Sequence, residues 1–245
     1  MANSIPGQLD CSDITITLYV SERGYLLDDG IASLPQSLQH LLESSSRDYP
    51  FTFQVSYVDN IGPHRKYIYN DLGPDDILIT VDDDTLYPRN FISRIIETTL
   101  EFDCVVAMRG RAISIDDKMI LPYRRWDKSI DANVPRLRYV GTGKDGIAYR
   151  RSYLHENVWN IPAAVQAAPR ADDLWLKVHS LLMGVPTAIV NSSLSEEFVE
   201  IGSPSEKVSL FNNFNKRGGN DYALRQIDKY LAQTFQTTLY HLITL

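Results

Sequence analysis

Cysteine is nearly absent from this chain: Cys11 and Cys104 are the only two among 245 residues. Two thiols make no disulfide framework, and a chain of this length buries a core without one. Both lie in or beside apolar segments, and a reduced, cytoplasmic setting is predicted. Long apolar runs are missing too. No segment approaches the roughly 18 apolar residues of a membrane span. Met1 to Pro6 offers neither a basic region nor an apolar signal core. Positive charge is in deficit: the formal net charge is -7. A protein that grips nucleic-acid backbones is usually basic, so no nucleic-acid partner is expected. Histidines are few, and none has metal-ligand spacing with another. Internal repeats, low-complexity tracts and clear linkers are absent, which favours one domain. No Ser-His-Asp or Cys-His arrangement stands out.

What is present is ordinary globular composition, 44% hydrophobic and 22% charged, arranged as alternating strands and helices. Residues 14–20 alternate and are β-branched, as in a strand. A helix is expected from about Ser33, with Pro35 in its first turn. Residues 51–58 form a second strand, followed by a turn and a short helix over 65–69. Residues 76–81 are apolar almost throughout, as in a strand covered on both faces. A helix is expected to open at Pro88, with Phe91, Ile92, Ile95, Ile96 and Leu100 on one face. Residues 105–108 form a further strand. This alternation predicts a mostly parallel central sheet flanked by helices. Residues 110–151 read as a mixed-sheet extension. A helix over 172–183, a strand over 186–190, a polar loop over 192–219 and an amphipathic helix over 221–242 complete the chain.

Three adjacent carboxylates, Asp82, Asp83 and Asp84, follow the apolar strand. Ligands in open α/β sheets bind at the carboxyl ends of strands. Two like charges about 4 Å apart repel by roughly 1 kcal/mol in water and about 4 kcal/mol near a protein surface. A divalent cation with oxygen ligands, Mg2+ or Mn2+, would offset that repulsion and bridge to a diphosphate. A solvated acidic turn complementing the next helix dipole is the plainer alternative; the buried strand before it and the helix after it favour the cation.

The run from Ile77 to Pro88 resembles the DXD segment of GT-A-fold glycosyltransferases. Gly62-Pro63-His64-Arg65-Lys66-Tyr67 before it and Ala171-Asp172-Asp173-Leu174-Trp175-Leu176 after it resemble a bacterial branch assigned to polysaccharide and lipopolysaccharide synthesis. The resemblance covers roughly residues 14–190, and the three motifs in this order are more specific than DXD alone. It implies a single GT-A-like, Rossmann-like domain, with a nucleotide-binding half over about 12–110 and an acceptor-side half over 111–245. It implies that Asp82 contacts the ribose and that Asp84, with Asp82, serves the metal, Asp83 helping to orient the sugar. Ser21 would lie near the nucleobase and Asp59 would contact it. Arg65 and Lys66 could meet the diphosphate; a solvated basic face explains them equally well.

Asp172 and Asp173 open a helix, where acids commonly cap amides. The resemblance adds a second role. Inverting GT-A enzymes carry an acidic pair here, and one member takes the acceptor proton. Asp173 is the expected base, with Asp172 beside it. Trp175 could stack on an acceptor sugar or belong to the core. Gly141 to Gly146 is glycine-rich but lacks the P-loop pattern. By resemblance Gly143 approaches the donor sugar or the acceptor, although Lys144-Asp145 departs from the branch's shorter turn. Arg109 and Arg111 could face a phosphate. No histidine occupies 211–221, the usual place of a further metal or phosphate contact; Asn215, Lys216, Arg217 and Asp221 stand there instead.

The expected function is metal-dependent transfer of a sugar from a nucleoside-diphosphate donor, UDP by family frequency, to a hydroxyl of a glycan or glycolipid, with inversion. Work at the inner face of the cell membrane is compatible with this. The rivals are a magnesium-dependent nucleotidyltransferase, which Ser21-Glu22-Arg23-Gly24 fits poorly, and a non-catalytic sugar- or cation-binding relative.

Overall fold

Alternating β-branched residues make Ile14–Val20 a strand, β1. It runs parallel to β2, Phe51–Tyr57, in register from Ile14 opposite Phe51 to Val20 opposite Tyr57. Helix α1, Gln36–Asp48, connects them. The computed structural model describes residues 14–26, 28–48, 51–68, 71–128, 130–190, 198–201 and 218–245. Cys11, the end of the expected 65–69 helix, and most of the expected 192–219 loop with Asn215, Lys216 and Arg217 lie outside them.

A second sheet has the order β11-β5-β10-β3, formed by Thr187–Ile189, Val105–Ala107, Ile147–Arg150 and Ile77–Thr80 respectively. Here the expectation of a mostly parallel sheet is met in part: β3, β5 and β11 share one direction. β11 is parallel to β5, but β10 is antiparallel to both of its neighbours. The segment read as an extension thus sends a strand into the middle of the sheet. Ile147, Ala148 and Tyr149 are all buried, the burial of an interior strand. Gly146, at φ 98°, makes the entry turn, and a Cβ there would come within 2.5 Å of the Phe91 ring.

Side chains alternate across this sheet with the period of two that strands impose. Val105, Ala107, Ile147, Tyr149 and Ile189 enter one apolar cluster, completed by Leu174, Trp175, Val178 and Leu181 of helix α5, Asp172–Leu182. Val106, Met108, Ala148 and Ala188 enter a second, completed by Phe91, Ile92 and Ile95 of helix α3, Phe91–Phe102. The described chain is therefore mixed α/β, with helices on both faces of the four-stranded sheet.

Other bounds moved. α3 begins at Phe91, because Pro88 closes a turn by accepting the Phe91 N–H at 3.0 Å. The terminal helix is two: α6, Gly219–Phe235, and α7, Leu239–Thr244. Gln236 adopts a left-handed conformation at φ 53°. Thr238 then caps α7 by accepting from the His241 N–H at 3.2 Å, and Asp228 Oδ1 accepts from Leu239 N–H at 2.8 Å. A continuous apolar stripe concealed this break. No helix among the described residues is long and apolar enough to cross a membrane.

Candidate active site

The carboxyl end of β3 delivers Asp82, and two neighbours fix it. The buried Tyr87 hydroxyl accepts from the Asp82 backbone N–H at 2.9 Å and donates to the Lys144 carbonyl at 2.9 Å. One phenol thereby ties the aspartate loop to the glycine-rich turn. The Asp82 carboxylate pairs with the Lys66 ammonium, presented by α2, Arg65–Ile68. Asp83 and Asp84 are exposed. The Asp84 carbonyl accepts from Ile201 N–H at 2.7 Å, where Thr85–Leu86 (β4) pairs with Val199–Glu200 (β12).

Lys66 also reaches the other acidic group: its Nζ lies 3.9 Å from Asp172 Oδ2. Burial opposes its charge, but Asp82 and then Asp172 more than offset this and hold the ammonium well above the ordinary lysine value. Lys66 is thus a strut between the end of β3 and the start of α5. Both acidic motifs meet across one cation.

The Asp173 carboxyl is pushed up to about 7, by burial first and by its neighbour Asp172 second; the Leu174 N–H and Lys66 pull the other way. Asp173 Oδ1 accepts that N–H at 2.8 Å. A carboxyl with these surroundings gains and loses a proton near neutrality, as a general base does.

The approach of α5 is set by His64. Its Nε2 lies 2.7 Å from the Ala168 carbonyl, and its Nδ1 lies 2.8 Å from the Tyr67 hydroxyl. A carbonyl only accepts, so Nε2 carries the proton and Nδ1 accepts from Tyr67. Burial holds the ring below its ordinary value, hence neutral. This tie between the Gly62-to-Tyr67 motif and the lead-in to Asp172 was not evident from scattered histidines. Its place inside that motif was the available signal.

One expectation needs correction, and two gain structural partners. Trp175 is fully buried, donating from Nε1 to the Val158 carbonyl at 3.0 Å and packing on His179 and Tyr230 with ring centroids at 4.3 and 4.9 Å. It cannot stack on a sugar. Two helical residues span about 200°, so it points nearly opposite to Asp173. Ser21 is buried, and its hydroxyl accepts from Arg65 Nη1 at 2.9 Å. Arg65 in turn donates from Nη2 to Asp28 Oδ2 at 2.5 Å, and Asp28 also accepts from Gly30 N–H at 2.8 Å and Asn60 Nδ2 at 3.2 Å. Ser21 and Arg65 therefore tie together the loop beyond β1 and β2. A sequence shows the charge of Arg65 but not its partner. Asp59 is exposed just beyond β2.

Gly143 opens the turn Gly143–Asp145. A Cβ there would meet nothing within 4 Å, so the turn borders open space. The unusual Lys144-Asp145 pair has structural work: Lys144 receives Tyr87, and buried Asp145 lies 3.0 Å from Arg109 Nε.

No family model matches this chain, and no curated protein matches it by sequence. The functional reading therefore rests on the motifs and this geometry.

Among the described residues, no three His, Cys, Asp or Glu side chains converge as a cation cage. Mg2+ and similar ions need none when a substrate diphosphate is present: one or two carboxylates suffice, and water and phosphate oxygens complete the shell. The exposed carboxylate of Asp84, with Asp83 beside it, fits that donor set. Asp82 fits it less well than expected, because Lys66 already neutralises it.

Proposed function

We propose that this protein is a metal-dependent glycosyltransferase of GT-A-like fold. It moves a sugar from a nucleoside diphosphate, UDP being the first to test, to a hydroxyl of a glycan or glycolipid. The observation that carries the reading is the Lys66 strut. It joins the DXD acid Asp82 to Asp172 of the acidic pair through one cation, beside Asp173, whose carboxyl is pushed up to about 7.

Transfer proceeds by direct displacement with inversion. The acceptor hydroxyl oxygen forms a bond to the anomeric carbon as Asp173 takes its proton. The bond from that carbon to the diphosphate oxygen breaks, and its electron pair leaves on the nucleoside diphosphate. A divalent cation at Asp84, when bound, supplies charge neutralisation for that leaving group. Lys66 holds Asp172 at the start of α5 and adds positive potential beside the diphosphate. Asp82 reaches the ribose, and the open face of Gly143 leaves room for the donor sugar.

Thermal denaturation with a panel of nucleoside diphosphates, with and without manganese, tests the donor site. One nucleotide should raise the melting temperature only with manganese, and Asp84→Ala should abolish the rise. No rise with any nucleotide would remove the reading.

A further inference from the structure

Two arginines flank Gly110, and they are not equivalent. Arg109 is committed: its Nε lies 3.0 Å from the buried Asp145 carboxylate and donates to Thr142 Oγ1 at 3.3 Å. Arg111 has no such partner. Among the described residues no carboxylate forms an ion pair with it, although the chain as a whole carries an excess of acid.

Its position is defined by the sheet. Arg111 lies on β6, Gly110–Ala112, opposite Val140 of β9, Tyr139–Gly141. β9 packs against α5, whose first turn carries Asp172 and Asp173. The Arg111 guanidinium sits 5.0 Å from the centre of the Tyr123 ring. The Tyr123 backbone is anchored, its N–H donating to Asp221 Oδ1 at 2.7 Å. Burial first, and then Asp173, push the Tyr123 hydroxyl up, while Arg111 and Arg109 pull it down. Arg111 is partly exposed. A guanidinium has five N–H donors in a planar fork suited to two oxygens of one oxyanion, and a hydrogen bond to the Tyr123 side chain leaves most of them over.

We propose that Arg111, backed by the Tyr123 ring, is an oxyanion subsite beside the acidic first turn of α5. The acceptor then carries a phosphate or a carboxylate near the hydroxyl that Asp173 serves: a phosphate-bearing or uronic-acid-bearing glycan or glycolipid, not a neutral sugar. The role as an acceptor contact rests on the glycosyl-transfer reading; the anion site does not.

The test uses the full chain without metal or nucleotide. The arginine Nε–H signals are followed by two-dimensional NMR as inorganic phosphate, and separately D-glucuronate, is added. The Arg111 signal is the one missing from Arg111→Gln. It should move saturably with at least one probe, and Arg111→Lys, which keeps the charge and loses the fork, should bind that probe about tenfold more weakly when both proteins are compared by titration calorimetry. Saturation by phosphate alone assigns a phosphate-bearing acceptor, and by glucuronate alone a uronic acid. No saturable movement of this signal, or equal binding by Arg111→Lys, would overturn the subsite. Saturable binding in a protein that responds to no nucleoside diphosphate would keep the anion site but overturn its role as an acceptor contact.

Discussion

Lys177 is a buried amine on α5, 4% exposed, with its Nζ donating to Thr187 Oγ1 at 2.9 Å. Burial pulls it from the ordinary 10.5 down to about 7. Those roughly 3.5 pH units at ~1.4 kcal/mol each amount to roughly 5 kcal/mol of destabilisation when the amine is charged in both states. The sign follows from proton counts. Between pH 7 and 10.5 the unfolded chain holds the Lys177 proton and the folded chain does not, so stability rises with pH. The cost is full below about pH 7 and fades above it. Lys177→Met removes the amine and keeps the shape, but leaves the buried Thr187 hydroxyl without its donor, at about 1–3 kcal/mol. The net expectation is a gain of roughly 2–4 kcal/mol at pH 6, shrinking to near zero by pH 9. Urea unfolding of both proteins at pH 6 and pH 9 measures it. Burial pushes the Cys104 thiol up to about 11 while Lys177 pulls it down; the thiol is thus protonated in both folded proteins up to pH 9 and adds little to the difference. An advantage independent of pH, or a loss of stability at pH 6, would refute the reasoning.

Asp173→Asn should be more stable than wild type at pH 8 and lose that advantage by pH 4. The folded carboxyl lies above its unfolded value of 3.8, so its ionisation across that window costs stability; denaturant titrations at the two pH values check this. Tyr87→Phe removes one buried hydroxyl from both the Asp82 amide and the Lys144 carbonyl, and should cost about 1–3 kcal/mol in the same assay. Trp175→Ala should cost about 3–5 kcal/mol by chemical denaturation, as a core truncation does. A Trp175→Ala protein of unchanged stability would contradict its place in the core.

The strand leading to Asp82 was legible because an apolar run ends there in acids, and the helix opened by Asp172 because Leu174, Val178, Leu181 and Leu182 form one stripe. What the sequence concealed was pairing. Ile147 to Arg150 is too short to show a period, so nothing announced an antiparallel strand between β3 and β5. The stripe through Leu231 and Leu239 continues in phase across Gln236, so its break was invisible. Lys66 and Arg65 look alike as adjacent bases. Only the fold gives one to the two acidic motifs and the other to Asp28 and Ser21. Trp175 could have been placed from its helical angle relative to Asp173.

The central claim is that the acids gathered around Lys66 turn over a sugar donor. The most direct measurement is release of nucleoside diphosphate from a panel of UDP-sugars with manganese, for wild type, Asp173→Asn and Asp84→Ala, with mixed bacterial glycans as acceptors. The account predicts release from at least one donor by wild type, rising with pH through about 7 as Asp173 loses its proton, and a fall of about a hundredfold or more in Asp173→Asn. Release that is equal in wild type and Asp173→Asn, or absent with every donor while the protein stays folded, would contradict it.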